Sequence, residues 1–433
     1  MLVEYHVARY VDTMTPGRRS LLQSLGPGLL MAGAAIGVSH LVQATRAGAD
    51  YGYQLLIIVL LVNVLKYPFF EYGHRYPAAT GENLLSGYRR LGPGFVEAFL
   101  VLTVISGLSA TAGVTFVAAG LAQHLFGVQL GTTGWSALLM GACAALLVVG
   151  RYHWLDLGMR AIMATLSVAT VAAFVVAARH GGVAPEGFVG PSPWTRASVG
   201  FLVALMGWMP APIEVSAWQS LWVEARDHYS GQRTDFAEAR LDFNFGYILT
   251  VCLAVLFLGL GALLMHGSGA VIQNSSGGFA AQLVDLYQQT LGAWSGPLIA
   301  AAAFTTILST TLTVIDAYPR SMAVGIRLMW PTCPYHFRLF YNLGIVSMCG
   351  AALLIINSFL NQLTGIVDFA TTIAFLAGPI YGFLNYRLLT SPHTPAEMHP
   401  GPVLRVISWL GMTFGAAFGV FFLVYRFAPD LLP

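Results

Sequence analysis

The chain has 433 residues, 56% of them apolar and only 9% charged, with a formal net charge of +2 and a mean hydropathy of +0.69. A soluble globular chain carries about 25% charged residues, so this composition describes a protein that lives in a lipid bilayer. The balanced charge gives no footprint for nucleic acid.

Residues 1–25 contain Arg9, Arg18 and Arg19 but no apolar core followed by a small-residue cleavage site, so they read as a cytoplasmic segment and not as a signal peptide. Beyond them, eleven apolar windows predict an all-α integral membrane protein: about 26–47, 51–72, 95–122, 133–150, 158–180, 198–222, 240–266, 294–323, 339–357, 362–388 and 402–428. Eleven crossings put the termini on opposite sides. With the N-terminus inside, 17 of the 21 Lys and Arg fall on inner segments and 4 on outer ones, which sets the N-terminus in the cytoplasm and the C-terminus outside a plasma (inner) membrane. The longest outer loop, about 267–293, is rich in Gly, Ser and Gln. The cysteines Cys143, Cys252, Cys333 and Cys349 are far apart and form no C-x-x-C pair, so they read as packing residues.

Helix 1, GPGLLMAGAAIGVSHLVQATR from Gly26 to Arg46, carries Gly37, Ser39 and His40 at mid-membrane. Polar or helix-weakening groups at that depth need protein or a water-filled cavity beside them, so this helix is predicted to break there. Helix 6, five windows later, carries MGWMPAPIE from Met206 to Glu214. Pro210 and Pro212 each remove a backbone donor and push the preceding residue out of the α region, so helix 6 must open as well. Two interrupted helices five spans apart predict an inverted five-plus-five repeat, 26–180 and 198–388, followed by helix 11 at 402–428, with the two breaks meeting at the midplane. A pair of kinked packing helices is the plainer alternative.

GPGLLMAGAAIG, RAGADYGYQLL, LLVNVLKYPFFEYGHRYPAATGENL and the Met-Pro of helix 6 resemble the Nramp family of proton-coupled divalent-metal transporters, without gaps from Gly26 to about Gly81 and more weakly thereafter. The resemblance implies a fold of the leucine-transporter type. It also implies metal ligands that are missing. The family's Asp-Pro-Gly-Asn matches Gly37, Val38, Ser39 and His40 here; its Met-Pro-His matches Met209, Pro210 and Ala211; its acidic relay positions in helix 3 match Thr111 and Val114. A divalent cation wants carboxylate oxygen, and an uncompensated charge at the midplane is costly.

In place of those ligands stand Gly37, Ser39, His40, Gln43, Met209, Ala211 and Glu214, which we read as the substrate site. Hydroxyl, imidazole and amide donors, with half-helix N-termini, suit an anion or neutral polar solute. His40 also fits a packing histidine. Glu214 could bind a cation, carry a coupling proton or pair with His40 or Lys66. In helix 8, Ser309 and Thr310 fall where the implied fold commonly coordinates a coupling Na⁺; hydroxyls that line helix contacts are the alternative. Asp316 and Arg320, four apart, read as an inner gate or packing pair. Lys66 and Asp368 are further gating or ion-pair candidates.

The expected function is Na⁺- or H⁺-coupled uptake of a small anion or polar solute, with bicarbonate or a small carboxylate as the best fit. A Mg²⁺ or Mn²⁺ transporter using Met209, Glu214 and His40 is the second reading, and a non-transporting sensor or leak the third. The chain reads as a monomer with no cofactor, and no nucleophile–base set or phosphate loop marks an enzyme.

Overall fold

The computed structural model describes residues 26–149, 153–331 and 336–431, and among these every regular element is helical. The segment 1–25 read as cytoplasmic lies outside the described residues. Helix 1 consists of α1 (Pro27–Ala35), a π-helical run Ser39–Ala44, and α2 (Thr45–Tyr51). Then follow α3 (Leu56–Thr80), α4 (Leu84–Leu91), α5 (Pro93–Phe126), α6 (Gly131–Val149) and α7 (His153–His180). Helix 6 is split into α8 (Val199–Gly207) and α9 (Val215–Ser230). The remainder is α10 (Phe236–Leu264), α11 (Ser276–Leu291), α12 (Ser295–Met329), α13 (Phe337–Ser358), α14 (Leu363–Leu389) and α15 (Pro402–Phe427).

Among the described residues eight helical runs are long and apolar enough to cross a membrane, against eleven windows in the sequence. The difference lies in windows one, five and six. Helices 1 and 6 are divided at their breaks, and the fifth window falls on α7, whose described side chains, Ala164–His180, form an apolar run. The second half of helix 1 is counted with helix 2 in one run, Ser39–Thr80. Gly52, at φ +59°, turns the chain between them; a residue with a Cβ is strained there.

One element was not legible. The loop expected at 267–293 contains α11, whose side chains Phe279, Leu283, Leu286 and Tyr287 are buried. Their spacing of four, three and one residues forms one apolar stripe on a short helix. Ser275 caps it by accepting from Gly278 N.

Both halves of helix 1 are seated on α10 by glycines. A Cβ on Gly246 would lie 2.2 Å from the Gly28 carbonyl, and one on Gly261 2.1 Å from the Thr45 carbonyl, so only glycine permits these backbones to approach. Asp242, fully buried on α10, accepts from the amides of Gly26 and Gly28 at 3.0 and 2.8 Å. A carboxylate at those free amides satisfies donors that the first turn of α1 cannot pair, and it complements the helix dipole. Around this centre α12 packs along α5, and α14 packs on α8 and α5. The outermost helix, α15, buries Ser408, Met412, Gly415 and Gly419 and turns Val403, Trp409 and Phe427 outward, the pattern of a lipid-facing helix.

Candidate functional site

The two breaks meet. Between α1 and the π-helical run the chain passes through Gly37 and Val38, and between α8 and α9 it passes through Pro210 and Pro212. A small cavity lies where they face each other. Helix 1 contributes Ala34, Ala35, Val38 and Ser39; α5 contributes Ala110 and Val114; α12 contributes Thr310, Val314 and Tyr318. The helix 6 break contributes Trp208, Pro210, Ala211, Pro212, Val215 and Trp218. Trp218 and Tyr318 meet edge-on with ring centroids 4.7 Å apart. Apart from the hydroxyls of Ser39, Thr310 and Tyr318 and the indole N–H groups, the lining side chains are apolar, and none is charged.

The anticipated substrate residues are therefore divided. Gly37 abuts α12, where a Cβ would stand 3.0 Å from Thr310 Oγ1. Ser39 lines the cavity, with Oγ 2.8 Å from the Ala35 carbonyl and 2.8 Å from His40 Nδ1. His40 turns to α10. Its Nε2 lies 2.9 Å from the Thr250 carbonyl, which can only accept, so Nε2 carries a hydrogen. Fully buried between two partners, it has the contacts of a packing histidine and does not line the cavity. Gln43 faces α14, donating to Asp368 at 2.9 Å. Ala211 lines the cavity, whereas Met209, fully buried, does not.

Glu214 stands at the N-terminus of α9, buried, and accepts from Tyr318 Oη at 3.1 Å. Its second oxygen, Oε2, has no protein partner. Lys66, from α3, places its ammonium 2.7 Å from the carbonyls of Met206 and Gly207 and 3.3 Å from that of Ala211, within electrostatic reach of Glu214.

The hydroxyl pair of helix 8 is split too. Thr310 Oγ1 reaches the Gly33 carbonyl at 3.3 Å and the Thr306 carbonyl at 3.2 Å, while Ser309, one residue and about 100° away, is half-buried. Asp316 and Arg320 pair within α12 at 2.7 Å, and Tyr341 of α13 donates to Asp316. Asp368 is held by Arg46 and joins helix 1 to α14.

Arg46, Tyr318, Trp208 and Trp218 were not singled out from the sequence. The tryptophans flank the Met209–Pro212 break ten residues apart, which was the available signal. Arg46 had none beyond its charge. Among the described residues no three His, Cys, Asp or Glu side chains cluster as a metal site.

Residues 28–425 match the family described as natural resistance-associated macrophage protein-like, Nramp. The uncharacterized protein PM0681 of Pasteurella multocida is 39% identical over 410 residues, covering 94% of this chain and 93% of that one. The manganese transporter of Eremococcus coleocola superposes with a TM-score of 0.71 at 14% identity, over 98% of this chain and 92% of the other. MhsT, solved in complex with L-phenylalanine, superposes with a TM-score of 0.63 at 14% identity, over 95% and 100% of the two chains.

Proposed function

Because this chain belongs to the Nramp family of membrane transporters, we propose that it is a secondary transporter whose cargo is a small organic carboxylate, not a divalent metal. The observation that carries this reading is the cavity lining. Alanine, valine, proline and tryptophan offer a doubly charged ion nothing in exchange for its hydration shell, whereas they suit the apolar body of a small solute. Ser39 and Val215, the first residues of the resumed halves of helices 1 and 6, both border the cavity. Helix N-termini carry roughly half a positive charge, which suits the carboxylate head. The fold itself favours neither reading, since it is shared with a protein named a manganese transporter and with one solved with L-phenylalanine.

We assign the coupling ion as H⁺, carried by Glu214. It is a carboxyl at the helix 6 break with one oxygen unpartnered by protein, whereas Ser309 and Thr310 stand about 100° apart around α12 and do not converge on one ion. The charge asymmetry of the loops supports a cytoplasmic N-terminus.

The test is uptake into proteoliposomes of radiolabelled short-chain and aromatic monocarboxylates, with Mn²⁺ measured in parallel. A proton gradient should drive accumulation of at least one monocarboxylate in sodium-free buffer, and Ala110→Trp, which fills the cavity, should abolish it. Uptake of Mn²⁺ with calorimetric binding in the micromolar range, lost in Met209→Ala, would sink the proposal.

A further inference from the structure

The end of α8 already holds a cation, and the cation is part of the protein. The last carbonyls of a helix have no partner within it and carry the negative end of the helix dipole. At the end of α8 the carbonyls of Met206 and Gly207 converge with that of Ala211, beyond the break, on Lys66 Nζ at 2.7, 2.7 and 3.3 Å. An ammonium group has three donors and no acceptor, so three converging carbonyls match it in number. Lys66 is 7% exposed and is the only lysine in the chain.

We infer that these carbonyls form a monovalent-cation site at the helix 6 break and that Lys66 is its tethered occupant. The ammonium stands where a free ion would coordinate, so the cradle is closed to ions from solution. It also fixes a positive charge beside the cavity, because Ala211 gives its carbonyl to Lys66 and lines the cavity with the rest of its surface. With the nearby Glu214 carboxyl protonated, a positive charge there opposes entry of a cationic solute and favours an anionic one; ionised, Glu214 offsets it. Lys66 is thus a specificity-determining residue, acting through charge without touching the solute. The cation site itself does not depend on which solute the cavity takes. Lys66 borders a second, small apolar cavity between α3, α14 and α15, lined also by Phe375 and Phe414. Truncation to alanine opens the cradle toward that space.

The experiment uses the full-length protein in detergent and needs no transport substrate. Unfolding midpoints of wild type, Lys66→Ala and Lys66→Met are measured in ammonium, methylammonium, sodium and N-methyl-D-glucamine chlorides at equal ionic strength. Wild type should not distinguish the four salts. Lys66→Ala should melt well below wild type, and ammonium or methylammonium should raise its midpoint by several degrees with saturation, because a free ion then fills the cradle. N-methyl-D-glucamine, too large to enter, should do nothing. Lys66→Met, which fills the stem's space but brings no charge, should stay destabilised in every salt. Equal response of Lys66→Ala to all four salts overturns the inference, and so does wild-type stability of Lys66→Met. Should Lys66→Ala give no folded protein in any salt, Lys66→Met decides alone: a lowered midpoint supports the cation site, and an unchanged one removes it.

Discussion

Arg46 Nη1 lies 2.9 Å from both carboxylate oxygens of Asp368, tying the resumed half of helix 1 to α14. The guanidinium also lies over the Phe201 ring of α8 at 4.4 Å, and Gln43 donates to the same carboxylate at 2.9 Å. Three elements are closed by one charge pair. Arg46 is seven residues beyond Ser39, about 10 Å along a helix, so the pair sits to one side of the cavity, the outer side if the N-terminus is cytoplasmic as proposed.

Arg46→Ala and Asp368→Asn should each lower stability by about 1.5–3 kcal/mol, the usual worth of a hydrogen bond to a charged group. Each should also make a cysteine placed at Val38 more reactive to a membrane-impermeant thiol reagent added outside. The exchange Arg46→Asp with Asp368→Arg should recover part of both losses. Unfolding midpoints and labelling rates measure this, and additive losses in the exchanged protein would show that the pair is not a closure.

Gly207 ends α8 against α14, where a Cβ would lie 1.8 Å from the Thr371 carbonyl. Backbone cannot move aside as a side chain can, so Gly207→Ala should cost about 3 kcal/mol or more and reduce the yield of folded protein. Gly200, in the same helix, meets nothing within 4 Å. Gly200→Ala should instead stabilise by about 0.5–1 kcal/mol through helix propensity. Thermal melts of the two variants separate close approach from propensity.

The sequence resemblance matches Gly37 to the family's metal aspartate, and Thr310 fills the space beside it. Gly37→Asp should therefore lower the unfolding midpoint without creating Mn²⁺ affinity. Adding Thr310→Ala should restore several degrees by making room. Calorimetry with Mn²⁺ reads the binding, and micromolar affinity in Gly37→Asp alone would mean that the cavity needs only one carboxylate to become a metal site.

Glu214 is the proposed proton carrier, so uptake in wild type should rise as the outside becomes more acidic. Glu214→Gln, which keeps the oxygen that accepts from Tyr318 but cannot take up a proton, should flatten the pH profile and abolish accumulation while leaving exchange of labelled for unlabelled solute. Tyr318→Phe should keep the pH dependence and weaken binding several-fold. A wild-type pH profile and rate in Glu214→Gln would reduce Glu214 to a residue of the helix 6 break.

The bilayer, the helical architecture and the positions of both breaks were decided by the sequence alone, for reasons that act locally. Apolar content sets the solvent the chain can tolerate. Pro210 and Pro212 forbid a continuous helix 6 wherever the rest of the chain lies. Facing direction was not decided in this way. Ser39, His40 and Gln43 are close in sequence but meet the cavity, α10 and α14 respectively, and in a helix buried on all sides no apolar stripe shows which face turns where. Nor could the sequence foretell that Lys66 is satisfied by backbone carbonyls about 140 residues away. Every residue has a carbonyl, so no residue pattern marks the three that converge; only the packing of α3 against the end of α8 brings them together.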